Sequence, residues 1–150
     1  MGGEGSFFVP IFAAMSRIVG LDLGQKRTGI AVTDPLQLIV NGLTTVSTDG
    51  LRKFLKNYFI EEDVEKVVIG YPSHTDGNPT KLQPLIDDTV AWISRAFPTV
   101  DIDFEDEGFT SHGARQIIRS SHLGREARSD KELVDQVSAV LILQQYLKHV

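Results

Sequence analysis

The sequence predicts one α/β domain built on a mixed five-stranded sheet with helices on both faces. Three strand-like segments separated by turn residues open the folded part of the chain, as expected for an antiparallel meander. Strand-like and helix-like segments then alternate, which is typical of parallel strands joined by crossover helices. The length of 150 residues corresponds to about one domain. We therefore expect three antiparallel strands followed by parallel ones.

The meander is predicted from short segments rich in apolar and β-branched residues. A turn at Gly24-Gln25-Lys26 separates the first two segments, and Asp34-Pro35 ends the second. Gly42 is expected to bend the third strand, because a glycine inside a strand weakens regular pairing. The three predicted strands are residues 17–23, 27–33 and 38–46.

Helical periodicity begins after the meander. One apolar stripe recurs at i, i+3, i+4, i+7 and i+8, and Thr48 or Asp49 is a suitable N-cap for this helix. The stripe consists of Leu51, Phe54, Leu55, Tyr58 and Phe59. Further helices are predicted over residues 80–97, 110–119 and 130–148.

Two more strands alternate with these helices. Val67-Val68-Ile69 is a continuous apolar run, the pattern of a central strand that is covered on both faces. Val100, Ile102 and Phe104 alternate with acidic residues, which predicts a fifth strand.

Residues 1–15 are predicted to lie outside the domain, as an extension that is disordered or was added for expression. The apolar run in this segment lacks a preceding basic region, so it does not fit a secretory signal peptide. Residues 16–150 are assigned to a single domain.

Composition excludes several classes of site. The chain has no cysteine, which excludes disulfides, thiolate zinc sites and cysteine nucleophiles and agrees with a cytoplasmic location. No apolar stretch approaches the ~18 residues of a membrane span. The net charge of −5 argues against a protein that coats nucleic acid, but five of the fifteen Lys and Arg residues fall between positions 115 and 131. A local phosphate-binding surface is therefore compatible with the acidic total.

Three acidic residues occupy places where folding gains little from a charge. Asp22 interrupts an apolar strand, where an ionised carboxylate is costly without compensation. Glu107 follows the fifth strand at its carboxyl end, where open α/β sheets place ligands. Asp135 lies in the first turns of a helix whose middle is nearly all apolar. Convergence of these carboxylates would create a site for one or two Mg²⁺ or Mn²⁺ ions, as used in phosphodiester cleavage.

Each acid taken alone also has a simpler structural explanation. Asp22 can pair with Lys26 or Arg27, Asp135 can act as an acid at a helix N-terminus, and Glu107 can be an exposed charge at a strand end. The combination of the three acids with the order of elements favours the metal site.

Four motifs, taken in order along the chain, resemble the YqgF family. They are GLDLGQKRTGIAVTDP, VVIGYP, DEGFTS and LVDQVSAVLILQQYL, at residues 20–35, 67–72, 106–111 and 133–147. The resemblance implies a ribonuclease H-like fold and a small bacterial nuclease, described as a Holliday junction resolvase and assigned to maturation of the 5′ end of pre-16S rRNA. It also implies that Asp22, Glu107 and Asp135 are its catalytic, metal-binding triad. One departure is that Gly108 follows Glu107 where the family usually has arginine.

Basic residues near the predicted metal site are candidates for contacts with substrate phosphates, which position a strand without reading its sequence. These candidates are Lys26, Arg27, Arg115, Arg119, Arg125 and Arg128. The expected partner is nucleic acid, with pre-rRNA, free or in a ribosomal precursor particle, preferred over branched DNA. A monomer or weak homodimer is expected, because only a resolvase needs a two-fold dimer.

Two other function classes stay open at this point. Asp22-Leu23-Gly24 followed by Gly29 also resembles the phosphate loop of the actin, Hsp70 and sugar-kinase superfamily, although those proteins clasp a nucleotide between two domains. The second alternative is a non-catalytic module that binds RNA or DNA. Metal-dependent hydrolysis would distinguish a nuclease from both.

Overall fold

A computed structural model of the chain describes residues 16–71, 82–106 and 131–148. The strands are β1 (Arg17–Leu23), β2 (Arg27–Thr33), β3 (Val40–Ser47), β4 (Val64–Tyr71) and β5 (Asp101–Asp106). The helices are α1 (Leu51–Glu61), α2 (Gln83–Ala96) and α3 (Lys131–Lys148), and a short 3₁₀ turn (Thr48–Gly50) precedes α1.

The five strands form one sheet in the order β3-β2-β1-β4-β5. The pairs β1–β2 and β2–β3 are antiparallel, whereas β1–β4 and β4–β5 are parallel. The sequence prediction of a mixed sheet with an antiparallel meander is therefore confirmed. The carboxyl ends of β1, β4 and β5 lie at the same edge of the sheet, because these three strands run in the same direction.

Helices cover both faces of the sheet, as predicted. On one face, α1 and α2 pack on the sheet through a core that includes Leu55, Ile69 and Ile93, all fully buried. On the other face, α3 packs through residues such as Ile142 and Leu143. Val67, Val68 and Ile69 are each 0% exposed, which confirms β4 as a central strand covered on both sides. No helix in the described parts of the chain has the length and apolarity needed to cross a membrane.

The third strand differs from its prediction at its beginning. It starts at Val40, so Leu38 and Ile39 lie in the preceding loop and are exposed. A register shift lies at the position of the predicted bend: Ala31 pairs with Gly42 and Ile30 pairs with Thr44, so Leu43 is an extra residue on β3. An extra residue of this kind bends the strand that contains it.

The predicted N-cap of α1 is wrong. Gly50 occupies the cap position and makes no side-chain cap hydrogen bond. Ser47 instead caps the preceding 3₁₀ turn, accepting a hydrogen bond from the Gly50 amide at 3.2 Å. Thr48 is unavailable for capping because its hydroxyl donates to the Gly24 carbonyl. The tertiary hydrogen bond of Thr48 therefore outweighs its local preference for capping a helix.

The predicted helix over 80–97 corresponds to α2, which begins at Gln83. Residues 80 and 81 and the predicted helix over 110–119 lie outside the described residues. The alternation of apolar and acidic residues in β5 suggests that Phe104 is buried and Glu105 exposed. The structure shows the opposite: Phe104 is 43% exposed, whereas Glu105 is only 9% exposed. β5 is an edge strand of the sheet, and α3 covers the face that carries Glu105.

A buried tyrosine connects α3 to the outer strands. The Tyr146 hydroxyl donates to Asp103 Oδ2 at 2.7 Å and accepts from Lys66 Nζ at 2.8 Å. The hydrogen bond from Tyr146 is the main cause of a lowered pKa at Asp103, and the bond to Tyr146 is the main cause of a raised pKa at Lys66. The Tyr146 hydroxyl thus favours the ionised carboxylate of Asp103 and the protonated amine of Lys66.

Removal of this hydroxyl should destabilise the protein and change its response to acid. We expect Tyr146→Phe to lower the free energy of unfolding by about 1–2 kcal/mol, because two hydrogen bonds lose their shared partner. A lowered pKa at Asp103 gives stability that is present above pH ~4 and lost as the pH falls through the folded-state pKa. Urea denaturation from pH 3 to 7 should show a shallower acid decline in Tyr146→Phe, and Tyr71→Phe, at an exposed tyrosine, is the control.

Candidate functional site

Asp22 and the backbone of Asp135 both lie next to Gly29, where α3 crosses the meander. Asp22 pairs with Gly29 across β1 and β2. A Cβ atom at Gly29 would lie 2.0 Å from the main-chain oxygen of Asp135, so the helix backbone rests directly on this glycine. A Cβ at Gly20 would meet the Leu143 side chain of the same helix, and strand alternation then places Asp22 on the α3 face as well. Both acids therefore occupy one face of the sheet, near the carboxyl end of β1.

An ion pair fixes the carboxylate of Asp135. Arg27 Nε donates to Asp135 Oδ2 at 3.2 Å, and the two side chains are 34% and 27% exposed. Partial burial reduces solvent screening of such a pair. Arg27 was predicted as a phosphate contact or as a partner of Asp22, and the structure shows that it binds the third predicted acid.

The β1–β2 turn is held by the segment that precedes α1. The amide of Thr48 donates to the Lys26 carbonyl at 2.9 Å, and the Thr48 hydroxyl donates to the Gly24 carbonyl at 2.5 Å. The Lys26 side chain remains exposed. Beside the turn lies an open cleft of about 390 Å³, lined by Gly24, Gln25, Lys26, Arg27, Leu82 and Asp135. One acidic side chain and two basic side chains therefore line this cleft.

Hydrogen bonds at both ends of α3 set the position of Asp135 and of the β5 terminus. Near the start of the helix, the Thr45 hydroxyl donates to the Glu132 carbonyl at 2.6 Å. Near its end, the Gln145 amide donates to Glu105 Oε2 at 2.7 Å and to the Asp106 carbonyl at 3.2 Å. Asp106 is the last residue of β5 and directly precedes Glu107. α3 thus anchors the strand end that leads to the remaining predicted acid.

Several predicted site residues lie outside the described residues. They are Glu107, Arg115, Arg119, Arg125 and Arg128. Within the described ranges, no group of three or more Asp, Glu or His side chains is arranged to hold a metal ion, and that search does not include Glu107.

The chemistry of the described donors fits a hard divalent cation. Asp22 and Asp135 offer carboxylate oxygens, which are the ligands preferred by Mg²⁺ and Mn²⁺. Ser138, one helical turn after Asp135, is fully buried, and its hydroxyl has no hydrogen-bond partner among the described residues. Two carboxylates on one face of the sheet, with this hydroxyl on the same helix as Asp135, are oxygen donors of the kind that such a cation binds.

Residues 16–149 match the family model described as "RuvX: Holliday junction resolvase". The chain belongs to the RuvX family. This assignment confirms the resemblance to the YqgF family that the four motifs indicated.

Relatives of this RuvX-family chain carry a consistent name. A Flavobacterium johnsoniae protein named "Putative pre-16S rRNA nuclease" is 46% identical over 133 residues, which cover 89% of this chain and 96% of the relative. A Porphyromonas gingivalis protein of the same name is 45% identical over 133 residues, with the same two coverages. The family and these relatives identify the chain as a nuclease, that is, a phosphodiester hydrolase.

A solved structure supports the fold. Thermus thermophilus RuvC, determined in complex with a Holliday junction substrate, superposes with a TM-score of 0.55 at 12% identity, covering 89% of this chain and 96% of that one. This similarity confirms the ribonuclease H-like fold of the RuvX-family chain.

Sequence reasoning missed two features of the site. The first is Gly29, which admits the helix backbone; a glycine inside a strand is a known signal of close backbone approach. The second is Gln145, whose amide holds the end of β5. No local pattern marks such a glutamine, because its partners are 40 and 39 residues away in sequence.

Proposed function

We propose that the protein is a metal-dependent nuclease that processes the 5′ end of pre-16S rRNA in the cytoplasm, acting as a monomer or weak homodimer. The observation that carries this proposal is the packing of the Asp135 backbone on Gly29, which pairs with Asp22, so that two of the three proposed metal ligands lie on one face of the sheet. The names of the relatives support the rRNA substrate.

Asp22, Glu107 and Asp135 are the proposed ligands for one or two Mg²⁺ or Mn²⁺ ions. When bound, such ions activate water and stabilise the leaving oxygen in phosphodiester hydrolysis. Arg27 holds Asp135 in one orientation through the bond at 3.2 Å. Orientation of a ligand by a neighbouring group is commonly required for full metal affinity.

The substrate backbone is proposed to follow the cleft beside the β1–β2 turn. Lys26 is exposed on that cleft, and Asp135 lines it. Arg115, Arg119, Arg125 and Arg128 precede α3 in sequence and are proposed to extend the phosphate contacts. None of these contacts reads base identity, so recognition of the rRNA end would rest on backbone path and shape.

Parallel cleavage assays test the substrate assignment. Labelled pre-rRNA, single-stranded DNA and a four-way DNA junction should be incubated with the protein and Mg²⁺ or Mn²⁺. We expect cleavage of the RNA and little of either DNA. Preferential and symmetric cleavage of the junction would instead support a resolvase, which the family description and a two-fold dimer would fit.

Salt dependence tests the proposed arginine contacts. Each lost phosphate contact should reduce the slope of log affinity against log salt by about 0.7 for single-stranded RNA. We expect such a reduction in Arg115→Ala and in Arg119→Ala, with residual cleavage at saturating RNA. Arg95→Ala, on α2 at the opposite face of the sheet, is the control. Unchanged slopes in both test variants would exclude this segment from the RNA path.

A further inference from the structure

The loop between β2 and β3 presents an apolar surface to solvent. Leu36, Leu38 and Ile39 are 58%, 76% and 60% exposed. A groove of about 540 Å³ adjoins them, lined by Leu38, Ile39, Val40, Gln144, Leu147 and Lys148. Clusters of large exposed apolar side chains on a soluble domain commonly mark a contact surface. We call these three side chains and the adjoining groove the apolar loop surface.

This loop is held in a defined conformation. The Asp34 carboxylate accepts hydrogen bonds from the amides of Leu36 at 3.1 Å, Leu38 at 2.7 Å and Ile39 at 2.6 Å. The bond from the Ile39 amide is the main cause of a lowered pKa at Asp34, so the carboxylate is ionised at neutral pH. Gln37 adopts a positive φ of 59°, which few residues other than glycine adopt without support. The apolar side chains are therefore presented by a rigid loop.

The amino-terminal segment joins the domain beside this surface. The Gln37 side-chain amide donates to the Ser16 carbonyl at 3.0 Å and to Glu65 Oε1 at 2.7 Å. Fifteen residues precede Ser16, and the sequence FFVPIF occupies positions 7–12. Residues 13–15 span at most about 10 Å when extended, so Phe12 lies within that distance of Ser16, whose carbonyl contacts Gln37 of the loop. The family match begins at residue 16, so this apolar segment lies ahead of the shared domain.

We propose that residues 7–12 pack on the apolar loop surface of their own chain. The segment supplies apolar side chains, the loop supplies a rigid apolar receptor, and the Gln37–Ser16 bond fixes the point from which the segment departs. The contact is intramolecular, so a short tether gives a millimolar effective concentration and a weak contact suffices. This proposal does not depend on the proposed nuclease function.

A double-mutant cycle in the full-length chain tests the contact. One variant carries Phe8→Ser and Phe12→Ser, the second carries Leu38→Ser and Ile39→Ser, and the third combines all four changes. We expect each two-site variant to lower Tm by about 3–6 °C, since about 1 kcal/mol shifts the Tm of a domain this size by 2–4 °C. The combined variant should lower it no further than the larger single effect, because both changes remove one contact. Ile60→Ser, at an 83% exposed side chain of α1, should leave Tm unchanged.

Two results would overturn the proposal. Additive losses in the combined variant would mean that the segment and the loop do not touch. Sedimentation that shows concentration-dependent association of the full-length chain, abolished by Leu38→Ser with Ile39→Ser, would assign the apolar loop surface to a second copy. Binding of an apolar fluorescent dye tests the same contact independently. The fluorescence of the dye should be higher with the variant that carries Phe8→Ser and Phe12→Ser than with the wild-type protein, because the apolar loop surface is then uncovered.

Discussion

Replacement of Asp135 by asparagine should reduce RNA hydrolysis by more than about 100-fold. Loss of a group that only orients a metal ligand commonly costs 10–100-fold, and loss of the ligand itself should cost more. The same loss is expected for Asp22→Asn, since the two acids share one face of the sheet beside Gly29. Single-turnover cleavage at saturating Mn²⁺ measures the effect. Asp88→Asn, which removes the same charge from α2 on the opposite face, should retain full activity.

Metal binding gives a second readout for these variants that does not depend on turnover. An ion that binds only the folded state stabilises it by about 2.7 kcal/mol at 100 times its Kd, which corresponds to about 5–10 °C in Tm. The wild-type protein and Asp88→Asn should show this rise with Mn²⁺, whereas Asp135→Asn should not. An Asp135→Asn protein with near wild-type cleavage and the full rise in Tm would assign Asp135 a structural role as the partner of Arg27.

The sheet was predictable because its information is local. Alternation, turn residues and the apolar run at Val67-Val68-Ile69 specify strands within a few positions, and the order of elements limits the topology. The cap of α1 was not predictable in this way. Thr48 is a good local cap, but its hydroxyl bonds the Gly24 carbonyl, and Ser47 caps the turn instead. Local propensity gave way to a contact that only the folded chain contains.

The site was predictable in its residue types more than in its connections. Asp22 and Asp135 stand out because a carboxylate is costly in apolar surroundings. The partner of Arg27 was not predictable, since sequence offered Asp22 a few residues away and the fold supplies Asp135 from 108 residues away. Burial of Glu105 beneath α3 was also unforeseen, because alternation in β5 does not reveal which face of an edge strand is covered.

The stability of the site should depend on the absence of a side chain at position 29. A Cβ there would lie 2.0 Å from the Asp135 oxygen, 2.4 Å from its carbonyl carbon and 3.0 Å from the Gln136 amide nitrogen. All three atoms belong to the helix backbone, so no rotamer change relieves the clash and α3 must move. We expect Gly29→Ala to lower the free energy of unfolding by about 3 kcal/mol or more, at the upper end of overpacking costs.

Gly42→Ala is the matched control for Gly29→Ala, because it adds the same methyl group to the neighbouring strand under the same helix. Its Cβ would meet the Gln136 side chain, with Nε2 at 2.5 Å, Cγ at 2.8 Å and Cδ at 3.1 Å, and a change of rotamer can move these atoms without moving the helix backbone. The cost at position 42 should therefore stay below about 1 kcal/mol, with part of it offset by the reduced entropy of the unfolded chain. Urea denaturation measures the stability of both variants.

In Gly29→Ala, displacement of α3 also moves Asp135 relative to Asp22, and a shift of about 1 Å can lower the rate of cleavage by 100-fold. Folded Gly29→Ala protein should thus cleave RNA far more slowly than Gly42→Ala, and equal stability and activity of the two variants would show that α3 does not rest on Gly29.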